Sequence, residues 1–290
     1  MDNPKVFVII VNWNLKYDTI ALIRSILTGS YIPYRVIVVD NGSSDGSVEA
    51  ILEHFGDTVD LIVNKENIGF AAGANRGIHH ALTHGADFVL ILNNDTIVAR
   101  DTLEKLIDMA IHTPDIGILS PAIFYYDQPN RVWYLGDRHV RWLPIPLRIS
   151  ANMLRPDNKI LLVNYVTGCA MLIRRSVLDK IGMFDERYFM YYEDADFCKR
   201  AEQAGFSISC VPAARVWHKV SGSTRGNISY QYYLKTRSRV RFYRRHYSCL
   251  AWGYLILSTL WIMLVNLFKG NKEIVMACVK GFYHGWRVNP

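Results

Sequence analysis

The sequence predicts an α/β protein: a mostly parallel central sheet with helices on both faces, followed by a helical C-terminal segment that associates with a membrane. Three observations predict it. Uninterrupted apolar runs alternate with helix-spaced segments through the first half of the chain. Polar residues gather where those runs end. One uncharged apolar stretch, residues 247–268, follows a cluster of cations.

The first half gives the elements in order. Residues 6–11 are a strand, too short for a signal peptide's apolar region and followed by Asn-Trp-Asn rather than a cleavage site. Residues 19–27 have helical spacing. Residues 35–39 form a second strand. Residues 47–55 are helical, with Ser44 or Asp45 as the N-cap. Residues 61–63 are a short strand, 71–84 a helix, 88–92 a buried strand and 101–111 a helix with an acidic first turn. Runs apolar on both faces and joined by helices argue for parallel strands covered on both sides. Beyond Pro114 the pattern becomes irregular, and residues 123–164 are rich in Tyr, Trp, Arg and Pro. Order returns at 166–173, then a helix from Ser176, a helix over 194–204 and a strand over 207–211.

Composition bounds the function. The chain has 290 residues, 50% of them hydrophobic and 20% charged, which excludes a disordered or fibrous protein. A net charge of +7 favours an anionic partner. Five cysteines without a C-x-x-C pair argue against a disulfide framework or a zinc site, and fit reduced thiols in the cytoplasm. Neither G-x-G-x-x-G nor the P-loop pattern is present, so dinucleotide and P-loop chemistry lose ground.

In a doubly wound sheet, ligands bind beyond the carboxyl ends of the strands. Those ends carry Asn12 and Asn14, then Asp40 and Asn41, then Asn64 with the glycine-rich Asn67–Gly77 turn, then Asn94 and Asp95. Asp40 can accept from a base N–H or a ribose hydroxyl. Gly69 and its neighbours let backbone approach a ligand closely, and Arg76 can meet a diphosphate. Asp95 can hold Mg²⁺ or Mn²⁺ together with substrate phosphates. His218 would add a nitrogen ligand and tilt the choice toward Mn²⁺, although alone it reads as a structural histidine. Asp196 and Arg200 are spaced for an intrahelical ion pair. That leaves Glu193 or Asp194 as a general base.

Together, VIIVNWN (8–14), VVDNGSSDG (38–46), NIGFAAGANRG (67–77), LNNDT (92–96), TGCAMLI (167–173) and YEDADFCKR (192–200) resemble family 2 glycosyltransferases, nearest the bacterial rhamnosyltransferase-like branch. The resemblance covers about residues 6–245 and implies the GT-A fold. It also implies inverting transfer of rhamnose or another hexose from a dTDP- or UDP-linked donor to a glycan or lipid-linked acceptor, in cell-surface polysaccharide synthesis. By position it gives Asp40 to the nucleoside base, Asn94 and Asp95 to the D-x-D motif, Asp194 to the catalytic base with Glu193 beside it, and His218 to the metal. Asn12, Asn14, Asn41, Gly69 and Arg76 complete the donor-binding set. The motif here has a single acid, Asp95, which weakens the expected metal affinity.

The expected division is a transferase domain over 1–228 and a tail over 229–290. Lys235, Arg237, Arg239, Arg241, Arg244 and Arg245 precede the apolar run and would sit on the anionic cytoplasmic leaflet. The run is long enough to span a bilayer, and an interfacial helix or a soluble hairpin are its alternatives. Three rivals were weighed. A non-catalytic sugar-nucleotide-binding adaptor draws on the single acid. A nucleic-acid binder draws on residues 230–245, whose place before an apolar run favours lipid instead. A sugar-nucleotide pyrophosphorylase lacks its signature.

Overall fold

The structure, a computed structural model, describes residues 3–32, 34–140, 143–154, 159–220 and 227–287. Its main sheet follows the order β10-β12-β6-β11-β4-β1-β2-β3. These strands are β1 (Val6–Asn12), β2 (Tyr34–Asp40), β3 (Val59–Val63), β4 (Phe88–Asn93), β6 (Ile116–Tyr125), β10 (Leu161–Val163), β11 (Ala170–Arg174) and β12 (Ser207–His218). Short β5 (Thr96–Val98) pairs with β12, and β7 (Val132–Tyr134) pairs with β6. β8 (Asp137–Val140) and β9 (Leu143–Arg148) form a separate hairpin.

β1, β2, β3 and β4 are parallel neighbours, and β12 is parallel to β6. β11 runs against both β4 and β6 and joins the two parallel blocks. Side chains alternate across the strands. Val8 and Ile10 enter one core with Leu22, Ile23 and Leu106, while Phe7, Ile9 and Val11 enter the other with Ala74, Ile78 and Phe197. A strand buried on both faces must be apolar at every position, so these runs show no period of two.

The covering helices are α1 (Lys16–Leu27), α2 (Ser47–Phe55), α3 (Phe70–Thr83), α4 (Thr102–His112), α5 (Arg175–Ile181) and α6 (Glu193–Gln203). α2 corrects the expected cap. Its cap position is Gly46 with φ 77°, and Asp45 instead accepts from the Ser47 N–H at 3.1 Å and the Lys16 N–H at 3.0 Å. The glycines at the start of α3 and within it make close packing contacts. A Cβ on Gly77 would stand 2.5 Å from Ile9 Cγ2, one on Gly73 3.0 Å from Val11, and one on Gly69 2.5 Å from the Phe189 carbonyl. They let the helix press onto the sheet and onto the segment before α6.

β6 is the strand the pattern conceals. Nine of its ten residues are buried, yet it contains Gly117 and Pro121. Proline has no N–H for a ladder and belongs at bulges. Pro121 faces Val211, where the β12 register shifts so that Ala122 pairs with Arg215.

The chain ends in α7 (Ile228–His246), α8 (Cys249–Phe268) and α9 (Lys272–Arg287). α7 lies against the segment before α6, in an apolar cluster of Tyr188, Val240, Phe242, Tyr243, Ala251 and Leu255. Several of its cations also bond within the protein. Arg241 donates to the Arg187 carbonyl, Arg239 to Ser258 and Arg244 to the Trp286 carbonyl. Arg245 reaches Asp185 at 2.5 Å. A tail docked on the domain needs these donors for the carbonyls and carboxylates that it covers.

Candidate active site

The carboxyl ends of β1, β2 and β4 meet in one buried network. Asn12 Nδ2 donates to Asp40 Oδ2 at 2.7 Å, and the Ser43 N–H donates to Asp40 Oδ1 at 2.8 Å. Asn12 Oδ1 accepts from Thr19 Oγ1 at 2.7 Å and from Asn94 Nδ2 at 3.0 Å. Asn12 and Asp40 are fully buried and Asn94 nearly so. Asn14 adopts φ 52°, which Asn tolerates better than most residues. It clamps the second loop by accepting from the Ser44 N–H at 2.8 Å.

A second network lies beside it. Asn64 Nδ2 donates to Asn41 Oδ1 at 2.7 Å, and Asn41 Nδ2 donates to the Gly69 carbonyl at 2.9 Å. Arg76, exposed on α3, donates to Asn64 Oδ1. The sequence-predicted donor residues thus fall into two linked clusters: Asn12, Asp40 and Asn94 with Asn14 at the loop, and Asn41, Gly69 and Arg76 around Asn64.

Asp95 follows β4 in the turn before β5. Pairing of Thr96 with His218 brings the end of β12 beside that turn. His218 Nε2 then lies 3.1 Å from Asp95 Oδ1, and both residues are buried. The indole of Trp133 meets the imidazole edge-on at 4.6 Å between centroids. His218 Nδ1 is buried with no hydrogen-bond partner among the described residues. A structural histidine in this position would have both ring nitrogens satisfied. A carboxylate oxygen and an imidazole nitrogen side by side suit Mn²⁺ or Mg²⁺ that also takes substrate oxygens. The pair therefore fits a divalent cation, although no group of three or more metal-ligating side chains occurs among the described residues.

α6 carries the carboxylates. It begins after Tyr191 and Tyr192, consecutive non-glycine residues with φ 67° and 69°. Such backbone costs about 1–3 kcal/mol per residue and needs surroundings that impose it. Here α7 supplies them: Lys235 lies over the Tyr191 ring at 4.8 Å, and Phe242 packs on Tyr192.

Asp194 Oδ2 accepts from Tyr165 Oη at 2.8 Å and the Gly168 N–H at 2.9 Å, while Oδ1 accepts from the Ala195 N–H at 2.8 Å. Burial pushes the Asp194 carboxyl up, and these donors offset only part of the shift. Glu193 is pushed well above the usual carboxylate range by burial and then by Asp194, and its Oε2 has no partner among the described residues. Asp196 forms the expected ion pair, Arg200 Nε to Oδ2 at 2.7 Å, and also meets His246 Nε2 at 2.7 Å.

The two acid-bearing turns share one neighbour. The Asn93 N–H donates to the Cys169 carbonyl at 2.9 Å, next to the Gly168 N–H that holds Asp194. Burial, then Asp95, then Asp194 raise the Cys169 thiol well above its ordinary value. Sequence reading missed Tyr165, Gly168, Thr19, Ser43 and Trp133. Tyr165 lies between the irregular residues 123–164 and the ordered run 166–173 with nothing to single it out, and Thr19 reads only as the start of a helix.

A GT-A glycosyltransferase is the class that this sheet order and these strand-end acids define. A family model described as glycosyltransferase like family 2 matches residues 4–241. An N-acetylglucosaminyl-diphospho-decaprenol L-rhamnosyltransferase of Mycobacterium tuberculosis is 30% identical over 211 residues, 66% of this chain and 68% of its own length. The low-salt glycan biosynthesis hexosyltransferase Agl10 of Haloferax volcanii is 28% identical over 296 residues, 96% of this chain and 90% of its own. Among solved structures, the mannosyltransferase PcManGT from Pyrobaculum calidifontis, in complex with GDP-Man and Mn²⁺, superposes with a TM-score of 0.61 at 17% identity, covering 100% of this chain and 77% of that one. The chain belongs to glycosyltransferase family 2, in its rhamnosyltransferase-like branch.

Proposed function

We propose that the protein transfers rhamnose or another hexose from a dTDP- or UDP-linked donor to a hydroxyl of a glycan or lipid-linked acceptor, with inversion, in cell-surface polysaccharide synthesis. The observation that carries this reading is the buried Asp194 carboxylate, fixed by three donors and pushed up in pKa, beside the turn that also neighbours Asp95. A base held rigid by backbone and phenol loses little entropy in the reaction, and a raised pKa brings it nearer neutral pH.

In this reading Asp194 takes the proton of the attacking hydroxyl, and Glu193 beside it orients the acceptor. Asp40 with Asn12 and Ser43 forms the floor for the nucleoside. Asn14, Asn41, Gly69, Arg76 and Asn94 shape the donor side. Asp95 and His218 hold Mn²⁺ or Mg²⁺, which when bound neutralises charge on the leaving diphosphate. The loop after His218, residues 221–226, which the sequence offers as a closure over the donor, lies outside the described residues. The adaptor alternative drew on the single acid of the Asn93-Asn94-Asp95 motif, and the His218 nitrogen beside Asp95 favours the enzyme.

Residues 1–228 are the transferase unit in this proposal, and residues 229–290 place it on the cytoplasmic face of the membrane, within reach of a lipid-linked acceptor. α8 supports this: it has one window, Ala251–Phe268, apolar and long enough to cross a bilayer, and only 22% of that window is buried.

The test is Asp194→Asn. General-base catalysis contributes roughly 10²–10⁴ in rate, so turnover is expected to fall at least that far while donor binding, followed by thermal shift, stays near wild type. Near-normal turnover would show that another group is the base.

A further inference from the structure

We propose that α7, α8 and α9 form a monotopic anchor, in which α8 lies flat in one leaflet of a bilayer bearing anionic lipid and does not cross it. This rests on the membrane reading above and decides how the contact is made.

The first argument is the path of the chain. Gly281 sits against Tyr233 and Thr236, and Gly285 against Arg237 and Val240. A Cβ on either glycine would stand 2.6 Å or 2.5 Å from an α7 backbone carbonyl oxygen, so the contact needs glycine. Four residues of advance on α9 match about one turn of advance on α7, so the two helices run the same way. α8 runs back between their ends. Arg239 bonds Ser258, Tyr243 stacks on Tyr254 and Trp252 meets Trp286 edge-on at 4.7 Å. The first half of α8 therefore runs antiparallel beside α7.

α7 in turn is fixed to the transferase body. Ser238 Oγ donates to the Met190 carbonyl at 3.1 Å, and Arg241 to that of Arg187. Arg245 pairs with Asp185, and His246 with Asp196. A helix of 20 residues is about 30 Å long, enough to span hydrocarbon. Standing upright, however, α8 would carry its flanking helices with it. Those bear Lys235, Arg237, Arg239, Lys272 and Lys280, each costly in a bilayer interior by about 2.5–3.5 kcal/mol on insertion scales.

The second argument is the face left open. Leu257 is 69% exposed, Trp261 69% and Phe268 86%. With Leu260 and Leu264 they make a stripe at helical spacing. Met276, Val279, Tyr283 and Trp286 make another along α9, and the two helices meet at Trp252 and Trp286. Lys269, Lys272, Lys280 and Arg287 are exposed around these stripes, with Glu273 the sole acid on α9. Apolar stripes with aromatic residues and a cationic rim match an anionic interface, into which such helices sink about 5–10 Å.

The experiment adds full-length protein to the outside of sealed vesicles of equal parts phosphatidylglycerol and phosphatidylcholine. Flotation reads binding. Variants that add one cysteine to the five native ones, Ser248→Cys and Asn271→Cys, one beyond each end of α8, are then treated with a membrane-impermeant maleimide, with wild type as the baseline. The expected result is flotation with both positions labelled, and at least tenfold weaker binding for the double variant Trp261→Gln, Phe268→Gln. Protection of Asn271→Cys while Ser248→Cys reacts would show a spanning helix and overturn the proposal. So would failure of wild type to float, or undiminished binding by the double variant. Donor hydrolysis on the same preparation separates the readings: hydrolysis without flotation removes the anchor alone, and flotation without hydrolysis removes the transferase assignment alone.

Discussion

At the residue scale, the site sets two neighbouring carboxylates to different tasks. Asp194 has three donors and Glu193 Oε2 has none among the described residues. A carboxyl whose pKa is raised by folding stabilises the fold most when protonated. That contribution is complete below the unfolded value of about 4.3 and is lost as pH rises through the folded value. Glu193 is such a group. Glu193→Gln, neutral at all pH, is therefore expected to raise Tm at pH 7, by about 2–4 °C for each kcal/mol recovered, and to change it little at pH 4. Thermal unfolding at both pH values checks this, and equal Tm at pH 7 would show that Glu193 is already paired. At the proposed metal pair, Asp95 and His218, His218→Ala is expected to raise the Mn²⁺ needed for half-maximal donor stabilisation at least tenfold, read by titrating Mn²⁺ in a thermal-shift assay.

At the scale of elements, α6 is placed by what it rests on. Burial pushes the Asp196 carboxyl up, but His246, Arg200 and Arg245 outweigh it and hold it below the usual range. For a depressed carboxyl the stability is present above the unfolded value of about 3.9 and is lost as pH falls through the folded value. The α6–α7 contact should hold through neutral pH and fail only in acid. Asp196→Asn removes the carboxylate that pairs with Arg200 and is expected to destabilise the protein, lowering the urea midpoint, by about 1–3 kcal/mol. On the other face, Gly77→Ala puts a methyl against Ile9 and is expected to cost about 1–3 kcal/mol in the same assay. The strands of the first half were legible because burial on both faces leaves an unbroken apolar run. β6 is buried just as deeply, but Gly117 and Pro121 interrupt its run, and only the bulge in β12 explains how the proline fits. The direction of β11 was not legible, because an antiparallel strand buried on both faces carries the same composition as a parallel one.

At the scale of the molecule, strand-end acids could be located from sequence because strand ends converge in a doubly wound sheet. Their supports could not. Tyr165 and Gly168 reach Asp194 across 29 and 26 positions of chain, and His246 reaches Asp196 across 50. The basic run before α8 read as a lipid-facing patch because composition records charge without orientation, while Arg241 and Arg245 bind the body beneath them and Arg239 and Arg244 bind α8 and α9. A cut after Arg245 would therefore remove His246 and expose Val240 and Tyr243, which α8 and α9 help to cover. The fragment 1–245 is expected to be mostly insoluble, with a lowered Tm in whatever remains soluble, rather than a clean cytosolic enzyme.

The bond between His246 and Asp196 links the last turn of α7 to the first turn of α6, where Glu193 and Asp194 stand. In the proposed anchor, with α8 in the headgroup region, the height of the proposed base above the lipid would be fixed by the architecture, and the protein would work as a gauge. Acceptors whose sugar stands nearer to or farther from the bilayer should then be glycosylated more slowly, at unchanged donor affinity.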